Sequence, residues 1–419
     1  MNKHPTMKKR ILFIGYNFHP EPTGIGKYSG EMMQWLAQNG YDCTVITSYP
    51  YYPQWKVQEP YTKERYWYKG EFCSYPPTGS LQIWRCPMYI PAKPTGLKRI
   101  LLDFSFLLSA TCKLMALLAG KPFDLVVVVV PSFQLGLLGV LYKKVRKTKL
   151  HYHIQDMQIE AARDLQMIKS KSMINALFKL EKYILKNSDT ISSISEGMAN
   201  KIEKKSEKNI LLFPNWVDIC SFYPIQDRCF LKKMHGFDPS DTIILYSGAI
   251  GEKQGLESII LTAKALKYHT NIKFIICGSG PYKEKLEQMV RESSLQSVIF
   301  KPLQPLATFN NFLNTADIHL IVQKAQASDL VMPSKLATIL AVGGLALITA
   351  MPGSSLYQLV HKHSIGLLIE AESALALEAG ILRAISQDHS AIKKSARFYA
   401  ENHLSLQKVM ENFELSIAL

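Results

Sequence analysis

A serine and a lysine stand at the start of a short helix that the sequence predicts between Pro333 and Gly343. Pro333 suits the first helical position and the Gly343-Gly344 pair ends the helix, so Ser334 and Lys335 lie in the first turn. The backbone N–H groups of that turn have no partner within the helix. A lysine there has the wrong sign for the helix dipole, which indicates that a phosphate or diphosphate binds between Lys335 and these amides. A solvated lysine on a surface helix is the alternative.

Glycines form a second candidate segment, at 24–30. Its third glycine falls one residue too late for a dinucleotide fingerprint, and no acid follows the next strand, where Val45–Ser48 stand. It is not a P-loop either, because Glu21 occupies the position of the first required glycine. We interpret Gly24 and Gly26 as a turn that lets the backbone approach a ligand, with plain turn glycines as the alternative.

Two histidines, His151 and His153, lie on one predicted strand, Leu150–Ile154. We expect them to face opposite sides of the sheet, so that they do not share a metal ion. One of them is then a core histidine, and the other is a candidate for chemistry together with Asp156, which follows at the end of the strand. The sequence contains no Asp-x-Asp and no HExxH, so we expect no metal site.

The composition indicates an anionic partner. The chain has 419 residues and a formal net charge of +15, which suits a nucleotide, a nucleic acid or an anionic membrane surface. No nucleic-acid recognition module is recognisable, so we expect no nucleic-acid partner. Seven cysteines without CxxC spacing favour reduced thiols in a cytosolic chain. The run Ile11–Gly15 is too short for a signal peptide, and Asp103 and Lys113 interrupt Ile100–Ala119, the nearest approach to a membrane span.

The pattern of apolar runs predicts two successive units of alternating strands and helices. The first begins with a buried strand at Ile11–Gly15, a helix over Ile25–Gln38 and a strand at Asp42–Thr47, and the pattern restarts at Ile243–Gly248. This order builds a parallel, doubly wound sheet, whose ligands bind outside the carboxyl ends of the strands. The loops that we expect at those ends are 15–26, 248–255, 278–281 and 326–335.

Several motifs, in this order and spacing over almost the whole chain, resemble the retaining GT-B glycosyltransferases of family 4, and among them the WcaI-type enzymes of colanic acid biosynthesis. They are Gly24-Ile25-Gly26, His153–Asp156, Phe213–Asp218, Tyr246–Glu257, Gly278–Pro281 and Pro333–Leu336. The resemblance implies an α/β fold with two Rossmann-like domains that face each other across a cleft. It places these domains at residues 1–215, for the acceptor, and 216–395, for the donor. A helical segment, 396–419, is expected to pack back toward the first domain.

The resemblance also implies the reaction: transfer of a sugar from a GDP- or UDP-linked donor, with retention, without a catalytic metal and without a separate cofactor. The matching positions assign base and ribose to 278–281 and 330–338, and the diphosphate to 248–255 and 333–336. His153 or Asp156 would contact the donor sugar or the acceptor. The positions assigned to the donor include Gly24, Gly26, Gly248, Gly278, Gly280, Pro333, Ser334, Leu336 and Thr338.

The chain departs from the family pattern where charge matters most. The common Glu-x7-Glu pair falls on Leu330 and Thr338, neither of which is acidic. Asp329, one residue away, is the candidate replacement for the first glutamate. The family's cations after the second-domain strand fall on Ala249 and Gln254, which leaves Lys253 beside Lys335 to neutralise the leaving group. These departures also permit a chain that binds nucleotide sugar without turning it over.

The expected acceptor is a saccharide on undecaprenyl diphosphate, which would bring the first domain to the inner face of the plasma membrane. Lys98, Arg99, the apolar run Ile100–Ala119 and the basic run Lys143–Lys149 suit such a surface. A buried core helix is the alternative for Ile100–Ala119. For the activity, the alternatives are a nucleotide-sugar 2-epimerase of similar fold and a non-catalytic scaffold subunit that binds the nucleotide sugar.

Overall fold

The computed structural model describes residues 8–22, 24–164, 170–324 and 333–417, without the side chains of residues 161, 162, 164 and 253. The chain divides into two compact units. The first contains Met1–Phe213 and Met410–Leu419, and the second contains Pro214–Val409. Each unit has its own sheet, largely parallel in the first unit and wholly parallel in the second, with helices packed on it, so the predicted α/β class with two doubly wound units is confirmed.

The described part of the first unit contains an eight-stranded sheet with the order β3-β4-β2-β1-β5-β6-β7-β8. Its strands are β1 Arg10–Ile14, β2 Asp42–Ser48, β3 Lys69–Tyr75, β4 Gly79–Cys86, β5 Leu125–Val130, β6 Lys149–Ile154, β7 Thr190–Ser193 and β8 Leu211–Leu212. All six residues of β5 are buried, because helices cover both faces of a parallel sheet. β3 and β4 form an antiparallel hairpin within 49–95, where the sequence predicts a long loop with strands at its end.

The first unit's helices are α1 Gly24–Gln38, α2 Gly96–Leu118, α3 Gly136–Arg146, α4 Gln158–Asp164, α5 Lys171–Asn187 and α6 Glu196–Ser206. α2 packs one face into the core through Leu102, Phe106, Ala110 and Leu114, which recur every four residues. Within the described residues, α2 is the one helix whose length and composition would allow it to cross a membrane, and a third of its most apolar window is buried.

The opposite face of α2 is apolar and exposed. It carries Leu97, Ile100, Leu101, Phe104, Leu108 and Met115. The thiol of Cys112 is exposed on the same helix, and all seven cysteines of the chain are free thiols. α2 is therefore a core helix on one side only, and its other side is an exposed apolar face.

The second unit's described residues form a six-stranded parallel sheet with the order β11-β10-β9-β12-β13-β14. Its strands are β9 Thr242–Ser247, β10 Ile272–Cys277, β11 Val298–Lys301, β12 Ile318–Ile321, β13 Ala346–Thr349 and β14 Leu367–Ile369. The helices are α7 Arg228–Met234, α8 Glu257–Ala265, α9 Lys283–Glu292, α10 Leu306–Thr315, α11 Ser334–Ala341, α12 Ser355–His363, α13 Ala374–Ser386 and α14 Ser390–Tyr399. Along β9, Ile243 and Leu245 enter one core cluster, whereas Ile244 and Tyr246 enter another, as the two-residue repeat of a strand requires.

The last helix, α15 Leu406–Ser416, crosses the boundary between the units. Its Phe413 belongs to the first unit, where the ring stacks on Phe213 with 4.3 Å between centroids. Residues 396–409 belong to the second unit, although the sequence assigns all of 396–419 to a segment that returns to the first. The reason is burial, because Ala396 and Ala400 lie in the core of the second unit.

Candidate active site

Two glycine loops meet at the carboxyl ends of β9 and β10. The N–H of Gly248 donates to the Cys277 carbonyl at 2.9 Å. A Cβ atom built on Gly278 would lie 1.9 Å from the Gly248 carbonyl oxygen, and one built on Gly280 would lie 2.0 Å from the Ile250 carbonyl oxygen. Side chains are therefore excluded where the backbones touch, and the two loops present main chain at this edge of the sheet.

The helix α11 begins beside these loops. Its first residue is Ser334, one position later than the sequence predicts, and Pro333 is the N-cap. Pro333 offers no side-chain acceptor to the first turn. The Leu336 amide donates to the Pro333 carbonyl at 2.9 Å, and the Leu336 side chain is buried in the core. The Thr338 hydroxyl donates to the Lys335 carbonyl at 2.9 Å, whereas Ser334 is exposed.

The Lys335 ammonium lies at this edge, beside the loop that contains Gly248. Its Nζ atom is buried and has no hydrogen-bond acceptor among the described residues. The ammonium lies over the Tyr246 ring, 3.6 Å from the centroid, and a Cβ atom on Gly248 would lie 3.1 Å from Nζ. Burial lowers the pKa of Lys335 to about 7. A buried cation of this kind is costly until an anion or another acceptor pairs with it.

Two further polar side chains, which the sequence analysis missed, follow β12 at the same edge. Nε2 of Gln323 is buried without an acceptor among the described residues, while its backbone amide donates to the Thr349 hydroxyl at 2.9 Å. Lys324 lies beside Gly255 and 4.0 Å from the Glu252 carboxylate. Their position directly after a buried strand was a usable signal, because such positions lie at the ligand edge of a parallel sheet.

Two predicted catalytic side chains of the second unit cannot be placed. Asp329 lies outside the described residues. Lys253 has a described backbone, in the short turn Glu252–Gln254, but its side chain is not described. The Gln254 side chain closes this turn by accepting from the Gly251 amide at 3.1 Å. The roles of Asp329 and Lys253 remain predictions.

In the first unit, a buried carboxylate fills the space beside the predicted glycine turn. Glu21 accepts from the amides of Tyr51 and Tyr52 at 3.1 and 3.0 Å. A Cβ atom on Gly26 would lie 2.3 Å from Oε2 of Glu21, so the missing side chain of Gly26 accommodates this carboxylate. Gly24 is exposed and has a φ of +64°, which favours glycine. Burial raises the pKa of Glu21 to about 7 despite its hydrogen bonds.

A second buried carboxylate, Asp103 on α2, lies close to Tyr16 at the end of β1. Its Oδ2 accepts from Nε2 of Gln158 at 3.1 Å. Burial raises the pKa of Asp103 to about 6. Burial also raises the pKa of Tyr16, with the negative charges of Asp103 and Asp156 adding to the effect. The exposed Asp156 at the end of β6 is thereby placed near Asp103 and Tyr16.

The expectation that His151 and His153 face opposite sides is wrong. Residues two apart on a strand share a face, and Nε2 of His151 and Nδ1 of His153 both lie 2.8 Å from the Ser192 hydroxyl. Burial lowers the pKa of each to about 3, so both rings are neutral. His153 is 2% exposed and packs edge-on against Phe213. Of the two strand-end candidates, Asp156 is thus the one with an exposed side chain, and a sugar contact by His153 has no support in this conformation.

No group of three or more His, Cys, Asp or Glu side chains within the described ranges is arranged to hold a metal ion. The described polar groups at this edge of the second unit are main-chain amides, the cations Lys335 and Lys324 and the amide of Gln323. Separately, the first unit has its own set of carboxylates and tyrosines at the carboxyl ends of its strands. A cationic edge of this kind suits a phosphate-bearing ligand.

Comparison with known proteins defines the class. Residues 227–403 match the family described as glycosyl transferases group 1, and residues 23–216 match the glycosyl transferase 4-like domain. The chain covers 98% of the sucrose-phosphate synthase of Thermosynechococcus elongatus at a TM-score of 0.72 and 15% identity, with 98% of this chain aligned. A second similar structure is that of WaaG, a glycosyltransferase of lipopolysaccharide biosynthesis. The TM-score is 0.66 and the identity 14%, over 97% of this chain and 99% of WaaG. These are two-domain GT-B folds.

Sequence similarity gives the particular family. The chain is 40% identical over 413 residues to the Escherichia coli K12 protein named as the colanic acid biosynthesis glycosyl transferase WcaI, and the alignment covers 96% of this chain and 98% of that protein. The chain therefore belongs to the WcaI-type GT-B glycosyltransferases. Anabaena HepE, solved in complex with UDP, has the same fold at a TM-score of 0.71 and 11% identity, over 98% of this chain and 99% of HepE.

Proposed function

We propose that this glycosyltransferase moves a sugar from a GDP- or UDP-linked donor to a saccharide carried on undecaprenyl diphosphate, in biosynthesis of a colanic-acid-like exopolysaccharide. The observation that carries the proposal is the buried Lys335 ammonium, which lacks an acceptor among the described residues. A diphosphate would supply that acceptor. The name of the E. coli relative supports the pathway, and the complexes of HepE with UDP and with UDP-glucose support the class of donor.

The donor diphosphate would lie at the start of α11. The amino end of α11 carries roughly half a positive charge, to which the Lys335 ammonium adds a full one. Gly248, Gly278 and Gly280 let the two loops pack against each other, so that this edge presents main-chain groups to the ligand. Base and ribose would lie toward 278–281 and the Thr338 hydroxyl, as the family resemblance assigns them.

The reaction would proceed with retention and without a catalytic metal. The bond between the anomeric carbon and the phosphate oxygen breaks, and the acceptor hydroxyl attacks the same face of an oxocarbenium-like centre. The hydroxyl proton passes to the departing phosphate oxygen. The charge that develops on this leaving group would be stabilised by the Lys335 ammonium and the amides of α11, which need no reorganisation during the step.

The acceptor would bind in the first unit. Asp156 is exposed at the end of β6 and lies near the buried Asp103 and Tyr16. A carboxylate there can accept a hydrogen bond from a sugar hydroxyl and orient it. His153, neutral and fixed on Ser192, would support the backbone of β6 without touching the substrate.

A lipid-linked acceptor requires contact with the cytoplasmic face of the membrane. The exposed apolar side of α2 ends at Lys98 and Arg99, which are themselves exposed. The nearby hairpin and its preceding loop expose Trp67 and Phe72, and aromatic side chains favour the membrane–water interface. Apolar side chains beside cations are the signature of a surface that lies on anionic lipid. We propose that the first unit docks through this face.

The proposal is tested by substituting Lys335 in a transfer assay with GDP- and UDP-sugars and a membrane extract as the source of acceptor. We expect Lys335→Ala to weaken binding of the nucleotide diphosphate about 100-fold, because a desolvated charge pair is worth about 3 kcal/mol. Lys264→Ala, which removes an exposed lysine of the same unit, is the control and should bind normally. A fully active Lys335→Ala enzyme would contradict the phosphate assignment.

Two further measurements separate the alternatives. Chelator-treated enzyme should keep its activity, and activity that returns only with a divalent ion would refute the cation-based mechanism. Incubation with donor alone should leave the nucleotide sugar unchanged. An epimerised product would identify a 2-epimerase, and nucleotide binding without transfer to any acceptor would identify a scaffold.

A further inference from the structure

The second unit contains a cavity at the edge opposite its glycine loops. Its volume is about 480 Å³. It opens beside His319, near the amino end of β12, and beside Gly343 and Gly344, which follow the end of α11. Lys335 lies at the other end of α11, one helix length of about 12 Å away. The cavity is therefore distinct from the proposed donor site.

Basic side chains dominate its wall. Arg228, Lys393, Lys394 and Arg397 line the cavity together with one carboxylate, Glu401. Four cations against one anion leave a formal excess of three positive charges among the described lining residues. Asp317, outside the lining, pairs with Arg228 and reduces this excess, but the lining itself stays net positive and favours an anionic occupant.

The two arginines are already engaged in holding the unit together. Nε of Arg397 pairs with Glu401 at 2.6 Å, and Nη1 donates to the Ala341 carbonyl at the end of α11, also at 2.6 Å. Arg228 donates to main-chain carbonyls and lies 3.6 Å from Asp317. These contacts hold the two partly buried guanidinium groups in place on the wall of the cavity.

The two lysines are different. Lys393 and Lys394 line the cavity near the amino end of α14 and make no ion pair with a carboxylate of the described chain. Burial and the charge of Arg228 lower the pKa of Lys393, although Asp317 and Asp388 act the other way. Neither ammonium is therefore held in an ion pair of the described chain, and a phosphate can contact both.

Apart from Asn314 and His319, the uncharged part of the wall is apolar or glycine. Ile225, Leu313 and Val342 line it, and Phe398 stands at its margin with 64% of its surface exposed. Pockets for small molecules commonly measure about 300–1,000 Å³ and combine apolar walls with a few charged groups. An aromatic ring can stack on Phe398 while its phosphate reaches the lysines.

We propose that this cavity is a second binding site, for a nucleoside phosphate whose phosphate contacts Lys393 and Lys394 and whose base packs on Phe398. The site takes its charge from α14 and α7 and its shape from the amino edge of the sheet. Binding at this site does not depend on donor binding at Lys335, so the two proposals can be tested independently.

The test uses the full chain with Lys335→Ala, which removes the cation of the other anion site. Binding of ADP, GDP, UDP and inorganic phosphate is measured by calorimetry. We expect at least one nucleotide to bind, and Lys393→Gln with Lys394→Gln to weaken that binding by at least about tenfold. Lys393→Arg with Lys394→Arg should retain it. Lys264→Ala with Lys267→Ala removes two exposed charges from the same unit and serves as the control.

Phe398→Ala distinguishes the ligand classes. It should weaken nucleotide binding and leave the binding of inorganic phosphate unchanged, because only the nucleotide has a ring. The proposal is overturned if the two glutamine substitutions leave nucleotide affinity at the level of the Lys264 and Lys267 control. It is equally overturned if no nucleotide binds at millimolar concentration to a chain whose melting temperature is unchanged.

Discussion

The Nζ atom of Lys335 is buried and has no acceptor among the described residues. Burial therefore costs free energy when this side chain is charged and much less when it is neutral. Its pKa of about 7 means that the empty site holds the ammonium and the neutral amine in similar amounts near neutral pH. An anion favours the ammonium and raises the pKa. Proton uptake is therefore linked to anion binding.

This linkage predicts the pH dependence of nucleotide binding. Above pH 7 the Lys335 side chain of the empty site is mostly neutral, so binding of UDP requires uptake of one proton from solvent. The affinity for UDP should therefore fall by up to about tenfold per pH unit. Calorimetry at pH 8 in buffers of different ionisation enthalpy should show uptake of close to one proton. Lys335→Ala should show none, and Lys264→Ala should behave like the unmodified chain. Binding without proton uptake at pH 8 would rule out a role for Lys335.

The raised pKa of Glu21 predicts that the free energy of unfolding decreases as the pH rises. For an ordinary salt-bridged carboxylate it increases instead. Because the pKa of Glu21 rises from 4.5 to about 7 on folding, the native state binds the proton more tightly, and stability is lost as the pH rises from about 4 to 7. Glu21→Gln keeps an oxygen for the amides of Tyr51 and Tyr52 and removes this loss. Between pH 5 and pH 8 the unmodified chain should lose about 2–3 kcal/mol relative to Glu21→Gln.

Urea unfolding followed by tryptophan fluorescence measures this difference. The signal reports mainly on the first structural unit, which contains Trp35, Trp55, Trp67 and Trp84, whereas the second contains Trp216. Asp42→Asn is a suitable control because that carboxyl is only partly buried at the start of β2. Parallel pH profiles for Glu21→Gln and the unmodified chain would show that Glu21 does not titrate in this range.

At the scale of elements, the meeting of the loops after β9 and β10 depends on glycine. Gly278→Ala places a Cβ atom against the Gly248 carbonyl oxygen, which must move, and we expect a loss of about 3 kcal/mol from the second unit. Gly353→Ala is the matched control, because Gly353 also has a positive φ but has open space around it. It should cost only about 1–2 kcal/mol of backbone strain. Equal melting temperatures for the two variants would contradict the close contact.

The position of a strand or helix was predictable from the sequence where burial of apolar side chains alone determines it. Leu125–Val130 is an uninterrupted apolar run, so its place inside a parallel sheet follows from the sequence. The faces of His151 and His153 were misassigned because the two-residue repeat of a strand was applied incorrectly. The contacts of Glu21 were not predictable, since they join residues 30 and 31 positions apart and leave no local pattern. Lys335 was predictable because a cation at a helix start is locally unfavourable.

At the scale of the whole molecule, net charge and the exposed face of α2 should act together on a membrane. We expect the chain to bind vesicles that contain anionic lipid, and to bind less as salt screens its +15 charge. The combined substitutions Leu101→Ser, Phe104→Ser and Leu108→Ser should weaken vesicle binding more than tenfold, since each removes about 1.5–3 kcal/mol of apolar transfer.

Flotation with vesicles measures both effects. The control replaces three exposed leucines of the second unit, Leu303, Leu306 and Leu375, by serine. All six positions are exposed, so the melting temperature should not change in either variant. Equal flotation of the two variants would exclude α2 as the docking face.

The exposed thiol of Cys112 allows α2 to be labelled chemically. This thiol is exposed on the flank of the apolar face, and Cys73, Cys220 and Cys229 are the other exposed thiols. With those three replaced by serine, a polarity-sensitive dye would attach at a single native position. Its emission colour would then show, in real time and without an engineered cysteine, when this helix leaves water and how quickly it returns.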